Sequence, residues 1–444
     1  MEERIIELIE NKEFIELKKI INETSAQDLA EWISDFEHCD TAKFFRLIGK
    51  DKAVDVFGEL DVPTATELLN KLSDVEAVSL IDELPADDAT DVLEEMPASI
   101  VDKILRNCSE DTRKDINKLL KYEEDSAGSI MTVEYVELKE NMTIEQAIKQ
   151  IKAEREESET IDSCFVVGKK RELKGVITLR HLLFADKKMM ISDVCDRDFQ
   201  YVHTNTDQED VAGIFQKYDI NIMPVVDSED RLVGIITIDD VIDVIESEAT
   251  EDIKKMAAII PVDKPYDKTG VFETFKARIP WLLLLMISAT FTGKIIQSFE
   301  SELAAYTVLT AFIPMLMDTG GNAGGQASVS VIRALSLNDI EFKDIFKVVF
   351  KEFRVAIVCS VVLAICNFIK MITIDGVSTT IALTVCATLM VTIVIAKSIG
   401  CTLPMIAKKI GFDPAVMASP FITTIVDACS LLVYFSIAQL ILGI

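Results

Sequence analysis

The sequence predicts a multidomain protein: an all-α acidic N domain, a tandem pair of α/β domains, a long connecting helix, and an α-helical membrane domain with five transmembrane helices. Three observations carry this prediction. Charge is unevenly divided: the 444 residues hold 45 basic and 74 acidic side chains, a formal net charge of −29. Residues 279–444 hold ten of each, so residues 1–278, with 64 acidic and 35 basic, carry the whole −29. A pattern within residues 128–250 occurs twice, at a constant offset of 59. Five apolar runs follow residue 279.

A chain of this length needs two or more cores. Its acidic part repels nucleic acid and attracts cations, so no nucleic-acid partner is expected. Nine cysteines are scattered without a CxxC pair. That pattern suits reduced thiols better than a disulfide framework or a zinc site. The opening MEERIIELIENKEF lacks an apolar stretch, so no cleavable signal peptide is expected.

The N domain, residues 1–127, repeats a short amphipathic unit: ATELLNKLSD, AVSLIDELPADD, ATDVLEEMPASI, VDKILRNCSED. Apolar residues fall at helical spacing, and Pro, Ser or Asp ends each unit. The expected result is a stack of short helices with carboxylate-rich outer faces.

The duplication comes next. FVVGKKRELKGVITLRHLL at 165–183 aligns with PVVDSEDRLVGIITIDDVI at 224–242. Upstream, TIEQAIKQI at 143–151 parallels DQEDVAGIF at 207–215 at an offset of 64, so the first copy is five residues longer, around REESE. Each copy reads helix, strand, polar turn, strand, helix. The pair resembles tandem CBS domains, expected at 128–190 and 191–245. The resemblance implies a regulatory module that binds nucleotides or ions and dimerises. Adenosine-binding copies carry Thr, two residues, then Asp after the second strand. Thr237 and Asp240 match this, which implies a site for ATP there; the first copy has Thr178 but His181 in the Asp position, and His181 reads as a surface histidine.

IDDVIDVIESEATEDIKKMAAI, 238–259, has one apolar stripe, a crowd of carboxylates and no Gly or Pro. It reads as a single helix, with residues 246–270 forming the connector to the membrane domain at 271–444. Candidate spans are 279–299, 302–334 with a break, 350–372, 376–407 and 414–442. Each exceeds the about 20 residues needed to cross a bilayer. Lys276 and Arg278, then Lys343, Lys347, Lys351 and Arg354, then Lys408 and Lys409, all fall on one side. Basic loops face the cytoplasm. The N-terminal part is therefore expected in the cytoplasm and the C-terminus outside, in a multi-pass protein of the cell membrane surrounded by lipid.

Two stretches carry candidate chemistry. TGGNAGGQ crowds four glycines, Asn322 and Gln326 into the second span, with Asp318 just before. Such a run reads either as non-helical backbone lining a wet cavity or as close helix packing through small residues. In the fifth, Asp427 is the lone charge between Pro414 and Ile444, with Ser419 and Thr423 on its face at spacings of four. A carboxylate at the bilayer centre costs at least ~2.5 kcal/mol, so such residues usually face a wet pathway. Oxygen ligands suit a hard cation. The structural alternative is neutralisation by Lys294 or Lys397.

YEEDSAGSIMT, the CBS pair, ESEATEDI, RIPWLL, TGGNAGGQ and GFDPAVMASPFITTIVD, in this order and spacing, resemble the MgtE family of magnesium transporters over essentially the whole chain. The resemblance implies a homodimeric, Mg²⁺-selective channel or transporter in which Asp427 attracts hydrated Mg²⁺, with Thr423, Ser419, Asn322, Gly320 and Gly321 lining the pore. It also implies closure by cytosolic Mg²⁺ bound at Asp87 and Asp91 of the N domain, Asp207 and Asp219 of the CBS pair, Asp240, Asp243, Glu248, Glu251 and Asp252 of the connecting (plug) helix, and Asp413. The alternatives are another divalent cation (Mn²⁺, Co²⁺ or Ca²⁺), an ion receptor without flux, or a membrane enzyme tuned by its CBS pair. The last is disfavoured: no Ser-His-Asp set, P-loop or HExxH is visible, and the three histidines all precede residue 204.

Overall fold

In a computed structural model the chain is described at residues 2–11, 13–36, 40–155, 158–262, 264, 266, 268–417 and 419–443. It divides into two compact units, Met1–Ile245 and Glu246–Ile444.

The first unit opens with helices α1 (Glu2–Glu10), α2 (Phe14–Glu23), α3 (Ala26–Asp35), α4 (Thr41–Phe45), α5 (Lys50–Gly58), α6 (Val62–Lys71), α7 (Asp74–Ile81), α8 (Ala86–Glu94), α9 (Ala98–Asn107) and α10 (Glu110–Leu119). From α5 to α10 the N-cap residues are Gly49, Asp61, Ser73, Pro85, Pro97 and Ser109, a strict period of twelve. The caps act physically: Asp61 accepts from the Thr64 amide, Ser109 from the Thr112 amide, and Ser73 forms a reciprocal capping box with Glu76. Helices two apart in sequence stack, α6 on α8 and α8 on α10, around one continuous apolar core. This is the short-helix solenoid the repeats imply.

Each duplicated copy forms a three-stranded sheet. In the first, β1 (Tyr135–Lys139) pairs parallel with β2 (Thr160–Val167), and β2 pairs antiparallel with β3 (Leu173–Thr178), with α11 (Ile144–Glu154), α12 (Leu179–Phe184) and α13 (Ile191–Val194) around them. In the second, β4 (Val202–His203), β5 (Ile222–Val226) and β6 (Leu232–Thr237) repeat the order, with α14 (Gln208–Tyr218) between β4 and β5. The first strand of each copy was not part of the sequence expectation. The repeat is kept in detail. Val167 pairs with Leu173 and Val226 with Leu232 after the same register slip, and Arg171 and Asp230, also 59 apart, both take positive φ. The two hairpin turns bind each other, the Leu173 amide donating to the Asp230 carbonyl and the Leu232 amide to the Arg171 carbonyl, both at 3.0 Å. Helix α15 (Ile238–Met256) then runs unbroken from the first unit into the second.

The second unit continues with α16 (Val271–Ser298), α17 (Glu300–Ala305), a 3₁₀ turn (Thr307–Phe312), α18 (Ile313–Ser336), α19 (Ile345–Thr373), α20 (Thr379–Lys409), a 3₁₀ turn (Pro414–Met417) and α21 (Ser419–Leu442). Among the described residues four helical stretches are long and apolar enough to cross a membrane: 271–298, 342–373, 379–409 and 414–442. The expected second span is the exception. Its break falls at the 3₁₀ turn, and the TGGNAGGQ run does not unwind; it lies inside the continuous helix α18. Glycines and polar residues make α18 less apolar than its neighbours, and it packs against α20 and α21. Small residues permit that packing. A Cβ on Gly324 would lie 2.7 Å from Ile422 Cγ2 and 3.1 Å from the Ala396 carbonyl, and one on Gly400 would collide with the Gly324 carbonyl. The helices therefore touch at the backbone, the solution small residues offer where lipid supplies no hydrophobic drive.

Candidate ion pathway and carboxylate clusters

Asp427 sits half-buried near the middle of α21. Asp318 of α18, another carboxylate, is close enough to repel it. The two lysines considered as neutralising partners are placed otherwise. Lys294 is exposed, and Lys397 lies 3.6 Å from Glu352 of α19, with side chains only 7% and 12% exposed. Thr423, one turn before Asp427, gives its hydroxyl hydrogen to the Pro420 carbonyl at 2.9 Å. The side chain of Ser419 lies outside the described residues. Gly320 and Gly321 are buried contact points, facing Thr392, Val426 and Ser430 in one case and Thr423 in the other. Their absent side chains let α21 approach α18. Asn322 is exposed, as are Asp318 and Gln326, which share its face at spacings of four. A polar face on an otherwise apolar bundle thus runs beside the helix that carries Asp427.

The second site lies within the first unit. Asp87 and Asp91 of α8 converge with Asp240, which opens α15. Three further carboxylates join them: Asp88 beside Asp87 on α8, and Glu134 and Glu159, which precede β1 and β2 and are tied by the Glu159 amide donating to the Glu134 carbonyl at 2.8 Å. Glu134 also accepts from the Ala86 amide at 3.2 Å. Burial, then mutual repulsion, pushes Asp88 up to about 8, Asp91 to about 7 and Asp87 to about 6. Burial and Asp87 push Glu134 to about 7; Asp240 rises to about 6 although it accepts a 2.6 Å hydrogen bond from the Thr237 hydroxyl. Asp87 Oδ1 is buried with no hydrogen-bond partner. An all-oxygen set of this charge fits a hard cation. No three His, Cys, Asp or Glu side chains among the described residues enclose a bare ion.

The remaining predicted ligands are dispersed. Asp207 caps the start of α14, accepting from the Glu209 amide at 2.9 Å, while Asp219 ends the same helix in a left-handed conformation. Twelve residues of helix place them about 18 Å apart, too far to share one ion. Asp243 is exposed on α15. Glu248, Glu251 and Asp252 follow on α15 within the second unit, part-buried. There Lys255 Nζ lies 2.7 Å from both Glu251 Oε1 and Asp413 Oδ2. An ammonium thus lies between two of the carboxylates named as ligands of cytosolic Mg²⁺. Met256 packs with Ile332 of α18 and Ala415, so the end of α15 meets the membrane helices at Asp413. Lys408 donates to the Leu335 carbonyl at 2.8 Å and Lys409 lies 4.0 Å from the Phe342 ring centre, so the basic residues of two loops gather at one end of the bundle.

Family models match nearly all of this architecture: the MgtE intracellular N domain over residues 2–125, CBS domains over 127–188 and 191–247, and a divalent cation transporter domain over 313–437. The chain is 32% identical over 439 residues to the magnesium transporter MgtE of Bacillus subtilis (strain 168), covering 98% of this chain and 96% of that protein. This chain belongs to the MgtE family. It is also 39% identical over 331 residues to the magnesium transporter MgtE of Thermus thermophilus, covering 74% of this chain and 73% of the relative. The cytosolic domain of the Mg²⁺ channel MgtE, solved in complex with ATP, superposes with a TM-score of 0.52 at 34% identity, over 55% of this chain and 100% of that one. The soluble part of a magnesium transporter gives a TM-score of 0.51 at 30% identity, over 56% and 98%. MgtE is a family of transporters, not of enzymes, and the enzyme alternative falls with that.

Within this MgtE-family framework, sequence reasoning missed Asp88, Glu134, Glu159 and Lys255. One signal was present: Glu159 is the last residue of the REESE insertion that lengthens the first CBS copy. The others carry no local mark, because a carboxylate beside a solvated one looks the same in sequence wherever the chain later folds.

Proposed function

We propose that the protein passes Mg²⁺ through the membrane along the polar face of α18 and the face of α21 that carries Asp427, and that its cytosolic carboxylates close this path when they bind Mg²⁺. One observation carries the first half. Asp427 is a carboxylate in an apolar bundle with another carboxylate, Asp318, close enough to act on it, while Lys397 of α20 is engaged by Glu352. Two acidic groups with no basic partner among the described residues attract a cation; a hydrated one suits a site with few direct ligands. Two copies complete the pore, because Asp318, Asn322 and Gln326 are exposed in a single chain. The basic ends of the bundle face the cytoplasm, which leaves the C-terminus outside.

The gate follows from repulsion. Asp87, Asp88, Asp91, Glu134, Glu159 and Asp240 oppose one another across the N domain and CBS pair. A cation between them relieves this and favours the packed state by its difference in affinity for the two states. ATP binding is read at the first CBS copy. There Thr178, Arg180 and Asp162 border a cleft of about 400 Å³ with Leu179, Leu183 and Phe184. Thr237 and Asp240 bond to each other amid the carboxylate cluster, which repels a triphosphate.

The test is Mg²⁺ uptake by purified protein in liposomes. Asp427→Ala should lose most flux while still assembling, with Mn²⁺, Co²⁺ and Ca²⁺ as competitors. Near-normal flux in folded Asp427→Ala refutes the assignment.

A further inference from the structure

The end of α15 carries a cation of its own. Lys255 Nζ contacts Glu251 Oε1, one helical turn earlier, and Asp413 Oδ2, which stands just before α21, both at 2.7 Å. Asp413 is itself fixed, since its Oδ1 accepts from the Ala415 amide at 2.7 Å. Ala415 is fully buried, in the cluster that holds Met256 and Ile332. The ammonium thus sits at a junction of three segments: the tail of α15, the turn that starts α21, and the cytoplasmic-side end of α18. With side chains 23% (Lys255), 37% (Glu251) and 32% (Asp413) exposed, the pair is partly screened but not free in solvent.

We propose that Lys255 is a positioning residue for gating: a tethered cation that latches the plug helix to the turn before α21 and holds Glu251 and Asp413 together without a divalent ion. Removing its charge leaves two carboxylates opposed at a contact that must then recruit an ion to form. Closure therefore needs more Mg²⁺ without Lys255, not less. The inference rests on the gating reading above, and two readouts keep the two apart.

Flux of the full-length protein in liposomes is measured across a cytosolic Mg²⁺ titration. Lys255→Met should raise the half-closing concentration about fivefold, which is about 1 kcal/mol at 1.4 kcal/mol per tenfold, the upper end for a partly exposed pair. Lys255→Arg should restore the wild-type midpoint, and Asp413→Asn should raise it, with no further rise in the Lys255→Met/Asp413→Asn double variant. Hydrogen exchange of residues 246–256 without divalent ions should be faster in Lys255→Met and normal in Lys255→Arg. A wild type that Mg²⁺ does not close overturns the gating reading, and exchange then still reads the latch. Unchanged exchange in Lys255→Met, or a midpoint that stays or falls, overturns the latch; a fall would mean that Lys255 competes with the ion.

Discussion

Asp88→Asn separates the cost of the buried carboxylate cluster from its use. Burial first, then Asp87, Asp240, Asp91 and Glu159, hold Asp88 at about 8 against an ordinary 3.8. A carboxylate raised on folding binds more protons folded than unfolded. Its contribution to the packed state is therefore fully present below about pH 3.8 and lost as pH rises through about 8. At pH 7 about three pH units of that shift oppose packing, which at 1.36 kcal/mol per unit is about 4 kcal/mol. The neighbours share this penalty, so the asparagine should recover on the order of 2–4 kcal/mol. Limited proteolysis near neutral pH without divalent ions should cleave the wild type between the N domain and the CBS pair. Asp88→Asn should resist under the same conditions, and Mg²⁺ should then add little. The wild type should gain the same resistance as pH falls from about 8 towards 5. If Asp88→Asn is cut at the wild-type rate and wild-type cleavage ignores both pH and Mg²⁺, the cluster does not oppose packing and the gating argument fails with it.

Three further outcomes are expected. Gly400→Ala drives a methyl into the Gly324 carbonyl and should cost ~1–3 kcal/mol or more, seen as a lower unfolding temperature in detergent and lost flux. Lys397→Met leaves Glu352 buried without a partner and should cost ~3–5 kcal/mol, while Lys397→Met/Glu352→Leu should recover most of the thermal stability. Calorimetry should find ATP affinity lost in Arg180→Ala and kept in Asp240→Asn, since Arg180 borders the open cleft and Asp240 lies in the carboxylate cluster; the reverse would return the nucleotide to Thr237 and Asp240.

Much of the fold was legible because it is periodic. The cap residues from Gly49 to Ser109 punctuate helices at a fixed interval, and the offset of 59 is kept in the structure down to the positive φ at Arg171 and Asp230. What escaped were elements whose stability is not local. Strand β4 is two residues long and exists because β5 pairs with it. The glycine run was read as a possible unwinding. Helix propensity argues that way, but Thr392, Thr423 and Ile422 close around these glycines, and tertiary packing overrides propensity. Of the site, Asp427 announced itself by isolation in an apolar run, and Asp87, Asp91 and Asp240 came from the family resemblance. Asp88 and Lys255 did not, because beside a local partner each meets one distant in sequence, Asp240 for one and Asp413 for the other.

The Lys397–Glu352 pair has a consequence for how the chain enters a bilayer. The two residues lie on consecutive long helices, α19 and α20, joined by a short connection. Presented singly to an insertion machine, a helix with a central Lys bears a penalty of about 2.5–3.5 kcal/mol. Presented as a hairpin, the pair neutralises itself before either charge meets hydrocarbon. The biosynthetic unit of this part of the membrane domain is then two helices, not one, and a ribosome-stalled chain ending between them should remain loosely held until α20 emerges.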